Sequence, residues 1–116
     1  MGLLSDMAAG SERRLIAARA VVGHAELRER CAALPPLPRL RLSAAGFDLI
    51  AELKLRSPAL GDLSAQTMDP VARLRGYAEA GAAICSILTE PSRFDGDLAH
   101  LRQAATTLAP YGVPAM

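Results

Sequence analysis

Glu52 and Lys54 stand two residues apart at the end of an apolar run, with Ser57-Pro58 and Gly61 close behind. In an extended strand, side chains two apart share a face and lie about 6.6 Å apart along the chain. The pair is therefore expected side by side, at the mouth of whatever that strand lines. A fixed ammonium can orient anionic groups and stabilise negative charge as it develops. A carboxylate beside it keeps it charged and can share in proton transfer. Taken without its surroundings, a Glu-Lys pair of this kind is more often a plain rim ion pair. Ser57-Pro58 alone is an ordinary loop opener.

The elements that must position the pair follow from periodicity. Residues 47–54 read as a strand with Leu49, Ala51 and Leu53 on one face and Ile50, Glu52 and Lys54 on the other. Such a pattern suits a parallel sheet covered on both sides. Asp69 can cap a helix and Pro70 suits its first position. Val71, Leu74 and Ala78 form that helix's apolar stripe, and Gly81 sits where a left-handed cap would close it. Residues 83–90 read as a second strand, and residues 97–108 as a helix with the stripe Leu98, Leu101, Ala105 and Leu108. Pro110 and Gly112 end it, and residues 113–116 begin a third strand.

Upstream, residues 11–34 read as a helix in two pieces, with a break at Gly23-His24. Leu15, Ala18 and Val22 recur at helical spacing in the first piece, and Leu27, Cys31 and Leu34 in the second. Pro35, Pro36 and Pro38 stop the helix, and an extended connector runs to Gly46. The expected division is a helical extension with its connector at 1–46 and an α/β part at 47–116. Strands alternating with helices of this length predict right-handed βαβ units and a parallel sheet. Ligands of such sheets gather at the carboxyl ends of the strands, where Lys54 and Glu90 fall. Glu90 itself reads as a strand-end residue with a structural hydrogen bond.

Composition narrows the class. The 116 residues carry 13 basic and 12 acidic side chains, a balance without the footprint of a nucleic-acid or membrane-surface binder. No apolar run approaches the roughly 20 residues of a membrane span. No secretory signal is read at the amino terminus, so a soluble cytoplasmic protein is expected. Aromatic residues make up only 3%, which leaves the core to Leu, Ala, Val and Ile. Cys31 and Cys85 are expected as reduced core residues, and no metal site is expected. His24 and His100 lie in helical stretches without a partner at metal spacing.

Residues 49–58, Leu-Ile-Ala-Glu-Leu-Lys-Leu-Arg-Ser-Pro, resemble the first-strand signature of the indole-3-glycerol phosphate synthase family, in which Glu-x-Lys-x-x-Ser-Pro follows an apolar strand. Met68-Asp69-Pro70, Ala80-Gly81-Ala82, Ile87-Leu88-Thr89-Glu90-Pro91 and Phe94-Asp95-Gly96-Asp97-Leu98 fall where that family has similar words. The resemblance implies part of a (β/α)8 TIM barrel: cap helices, two βα units and the start of a third parallel strand. It implies a carbon-carbon lyase (a carboxy-lyase) of tryptophan biosynthesis that works without metal or organic cofactor. The substrate would be a small sugar phosphate, 1-(2-carboxyphenylamino)-1-deoxyribulose 5-phosphate, whose indole ring is closed with loss of carbon dioxide and water. By the same resemblance Glu52 and Lys54 are catalytic, and Ser57, Pro58 and Phe94 bind substrate.

The sequence departs from the family at Leu55, where a polar residue is frequent, and at Ala59-Leu60 before Gly61. Length is the larger departure, because a barrel of this kind takes about 250 residues. The chain is accordingly expected to be an amino-terminal portion, inactive alone, lacking the third-strand lysine and the later phosphate-binding loops. Open sheet edges would favour self-association or a complementary half-barrel. The alternative is a non-catalytic truncated paralogue, or a half-barrel interaction module.

Overall fold

The structure, a computed structural model, describes residues 2–63 and 69–116. Met68 of the Met-Asp-Pro word therefore lies outside the described residues. The chain forms two compact units, Met1–Pro36 and Leu37–Met116, so the connector after Pro36 belongs with the second.

The first unit is helical. Helix α1 spans Leu3–Val21 and α2 spans His24–Ala32, so the break falls at Val22-Gly23, one residue before the expected Gly23-His24, and His24 opens the second helix. Helix α1 begins well before Ser11, because Gly10 is tolerated inside it and Ser11 accepts a bond from Arg14 Nη2 at 3.0 Å instead of capping. Neither helix has a buried residue. The expected core position of Cys31 is corrected accordingly: it is exposed.

The second unit is α/β. Its elements are β1 (Ile50–Leu53), a small antiparallel hairpin of β2 (Arg56–Ser57) and β3 (Gly61–Asp62), α3 (Pro70–Glu79), β4 (Ile84–Ile87), α4 (Pro91–Phe94) and α5 (Leu98–Leu108). A 3-10 turn at Ala109–Tyr111 follows. Strands β1 and β4 pair in parallel, with Ile50 opposite Ile84, Ala51 opposite Cys85, Glu52 opposite Ser86 and Leu53 opposite Ile87. On the other side of β4, Cys85 makes a parallel bridge to Ala115. Cys85 N donates to Pro114 O at 3.0 Å, and Met116 N donates to Cys85 O at 2.9 Å. The residues expected to begin a third strand thus lie beside β4, which becomes the middle of the sheet.

Helix starts show why these segments fold locally. Asp69 Oδ2 accepts from Ala72 N at 3.0 Å and Pro70 opens α3, an arrangement worth about 1 kcal/mol. Gly81 takes φ +91°, the left-handed conformation that ends the helix. Asp97 Oδ1 caps α5 by accepting from Ala99 N at 2.6 Å.

The core lies between the sheet and the pair α3 and α5, which pack on each other, α3 on β1 and α5 on β4. Leu53, Leu74, Ala82, Cys85, Ile87, Ala104 and Leu108 are its buried members. Two expectations are corrected. The buried stripe of α5 runs through Ala104 and Leu108, while Leu98 is 69% exposed and Ala105 faces solvent. Among the described residues the sheet is covered on one face and not on both: Leu53, Cys85 and Ile87 are buried, but Ile50 on the opposite face is 63% exposed.

Candidate active site

Alternation along β1 sends Ala51 and Leu53 toward α3 and α5, and Glu52 to the opposite face. Lys54 follows directly after the strand, on the same side as Glu52. Its Nζ lies 2.7 Å from Glu52 Oε1, with the side chains 30% and 44% exposed respectively. An ion pair so open to water contributes only about 0–1 kcal/mol to folding. Stability therefore gives little reason for its presence.

Phe94 completes the cluster. Glu90, at the end of the second strand segment, accepts from Ser92 N at 3.1 Å, from the Ser92 hydroxyl, and from Arg93 N at 2.8 Å. This cap, with Pro91 at the first position, winds α4 into a single turn. Asp95 then reverses the chain at φ +53°, and Gly96 N donates back to Glu90 O at 2.9 Å. Gly96 is buried so tightly that a Cβ there would stand 2.3 Å from Leu88 O and 2.5 Å from Thr89 C. The folded-back loop delivers the Phe94 ring to 5.7 Å from Lys54 Nζ, within cation–π range. Glu90 acts here as the structural strand-end residue that the sequence predicts.

A tie from the helix side holds the strand end. Tyr77 on α3 donates its hydroxyl to the Glu52 carbonyl at 3.2 Å, and Arg73 Nη1 lies 3.5 Å from that hydroxyl. The backbone that carries Glu52 and Lys54 is thereby fixed to α3, a link with no counterpart in the sequence reading. Ser86, opposite Glu52 in register, is half-buried.

Ser57 and Pro58 do not join this cluster. They line a separate concavity of about 270 Å³ with Arg56, Gly61, Ser92 and Arg93, between the β2–β3 hairpin and α4. Ser57 Oγ accepts from Ala59 N at 3.3 Å, and Leu63 N donates to Leu55 O at 2.8 Å to close the hairpin. Of the residues that depart from the family pattern, Leu60 is 75% exposed at the hairpin tip. Among the described residues, no three His, Cys, Asp or Glu side chains are placed to hold a metal ion. Burial pushes the Cys85 thiol above its ordinary range, which keeps it a neutral core group instead of a nucleophile.

Parallel strands with charged side chains at their carboxyl ends define an α/β protein of the kind whose ligands gather at that edge. A model of the indole-3-glycerol phosphate synthase family matches residues 5–111. The chain is 43% identical over 106 residues to an indole-3-glycerol phosphate synthase of Nocardioides sp., covering 88% of this chain and 40% of that protein. A protein of the same name from Arthrobacter sp. is 41% identical over 106 residues, covering 85% and 39%. One from Mycobacterium ulcerans is 39% identical over 103 residues, covering 85% and 37%. The chain belongs to the indole-3-glycerol phosphate synthase family. It spans about two fifths of the length of the curated relatives it matches. Among the described residues, no helix is long and apolar enough to cross a membrane.

Proposed function

We propose that this chain supplies the first-strand part of an indole-3-glycerol phosphate synthase active site, on the opening segments of a (β/α)8 barrel in the cytoplasm. One observation carries the reading: Lys54 Nζ is held between the Glu52 carboxylate at 2.7 Å and the Phe94 ring at 5.7 Å, at the carboxyl end of a parallel strand. In the reaction, an aromatic ring carbon attacks the ketone of 1-(2-carboxyphenylamino)-1-deoxyribulose 5-phosphate, and a carbon–carbon bond forms. The former ketone oxygen takes up a proton, and the ring carboxylate leaves as carbon dioxide while its bonding electrons restore the aromatic ring. The resulting hydroxyl leaves as water with a proton from the neighbouring methylene carbon, forming the indole double bond. The Lys54 ammonium stabilises the oxygen as it gains negative charge. The Glu52 carboxylate, 2.7 Å away, orients that ammonium. Phe94 offers an apolar wall to the anthranilate ring, and Ser57 and Pro58 shape the rim. Neither metal nor organic cofactor enters these steps.

By itself the 116-residue chain is proposed to be inactive. The test is a chimera in which this chain replaces the matching part of the Nocardioides relative, assayed for indole-3-glycerol phosphate formation beside the chain alone. Turnover by the chimera is expected. A folded chimera that forms no product counts against the reading, and turnover by the chain alone counts against its incompleteness.

A second reading, a non-catalytic module that pairs with itself or with a complementary half-barrel, is favoured by one feature. Ile50 is 63% exposed on the outer sheet face, and Phe47 and Leu49 before it are 82% and 58% exposed. Sedimentation at increasing concentration separates the readings, because a monomer at every concentration removes self-pairing.

A further inference from the structure

The concavity between the β2–β3 hairpin and α4 lies outside the Glu52–Lys54–Phe94 cluster, and its lining has a distinct chemistry. Arg56 and Arg93 come from segments far apart in sequence, yet both line it, with Ser57 and Ser92. Among the described residues, the Arg93 guanidinium has no hydrogen-bond or ion-pair partner. Arg56 Nη1 is 3.5 Å from Asp95 Oδ1, with both side chains about half exposed (50% and 55%), so this tether is loose. Ser57 Oγ accepts from Ala59 N, which leaves its proton free to donate. Ser92 spends its proton on Glu90, whose carboxylate is turned to the α4 backbone.

We propose that this concavity binds a small oxyanion, a phosphate or carboxylate group, through the guanidinium groups of Arg93 and Arg56 and the Ser57 hydroxyl. Planar guanidinium forks match both anions by paired, charge-assisted hydrogen bonds. At about 270 Å³, the space falls just short of the roughly 300 Å³ at which sites for drug-sized ligands begin. It therefore suits an anionic group better than a whole organic ligand. Glu90, Asp95 and Asp62 are acidic groups nearby: Glu90 caps α4, Asp95 is held by Arg56, and Asp62 stands opposite Arg56 in the hairpin register. The proposal shares Ser57 with the substrate rim of the ring-closure reading, but its test reads binding and not turnover, so the two can fail separately.

The experiment is an NMR titration of the 116-residue chain with inorganic phosphate and, separately, with 2-aminobenzoate at low ionic strength. Saturable shifts are expected at the amides of residues 56–61 and 92–95. Arg93→Gln should weaken binding about tenfold, the loss expected when hydrogen bonds from a charged donor are removed, and Arg56→Gln by a smaller factor. Amide spectra of the variants, unchanged elsewhere, confirm that they remain folded. Tighter binding of phosphate assigns the site to a phosphate group, and tighter binding of 2-aminobenzoate to a carboxylate. The proposal is overturned by the absence of saturable shifts in the parent chain, by shifts centred on Lys54, or by equal affinity in Arg93→Gln.

Discussion

The two units of this chain use apolar residues at helical spacing to opposite effect. In the first, Leu15 is 52% exposed and Leu27 is 51% exposed, on helices that bury nothing. In the second, Leu74 is 1% exposed and Leu108 fully buried, on helices laid against a parallel sheet. Periodicity specifies a helix and the face it can bury, while burial itself requires a facing surface. In the second unit β1 and β4 provide that surface.

The largest predicted effect tests this contrast directly. Leu74→Ala should cost about 2–5 kcal/mol of unfolding free energy, the range for emptying a well-packed core position. Leu27→Ala should stay within about 0.5 kcal/mol. Urea denaturation followed by circular dichroism measures both, and equal costs would erase the distinction between the units.

Within the second unit, the loop that carries Phe94 comes next. Gly96→Ala places a methyl group against the Leu88–Glu90 backbone, which cannot yield as a flexible side chain would. A cost of about 1–3 kcal/mol is expected from this overpacking. Phe94 should also lose its place, so the upfield ring-current shift of the Lys54 ε-methylene should disappear from the NMR spectrum. If that shift persists, Gly96 does not position the ring.

The cysteines give the smallest and most selective effect. Exposed Cys31 should react with iodoacetamide at pH 8 while Cys85 stays protected, as peptide mass spectrometry would report. Because burial raises the Cys85 pKa, the unfolded chain loses this proton at a lower pH than the folded one does. The stability from the neutral thiol is thus complete below the ordinary thiol range and is lost as pH rises from that range through the raised value of the folded chain. Cys85→Ala should flatten that part of the stability–pH curve.

Much of this architecture is legible in the residues. Asp69, Pro70 and Gly81 mark both ends of α3, and the Glu52-Lys54 alternation foretells the side-by-side pair. Glu90-Pro91 repeats the start signal of Asp69-Pro70, yet the turn of α4 is too short for an apolar stripe to reveal it. The β2–β3 hairpin is hidden for a similar reason, since strands of two residues have no period. Ala104 and Ala105 are indistinguishable by hydropathy, so only packing decides which of them faces the core. Arg56 and Arg93 are brought together by the return of the chain along β4 and α4, and no spacing rule joins them.

The central claim is that Glu52 and Lys54 are placed for chemistry and not for holding the fold together. Lys54→Ala in the Nocardioides chimera, assayed for turnover and unfolding free energy on the same sample, tests it most directly. Turnover should fall by about 10²–10³, the loss typical when a charge-stabilising donor is removed. Unfolding free energy should change by less than about 1 kcal/mol. Unchanged turnover with a stability loss of several kcal/mol would contradict the account and make the pair a structural rim contact.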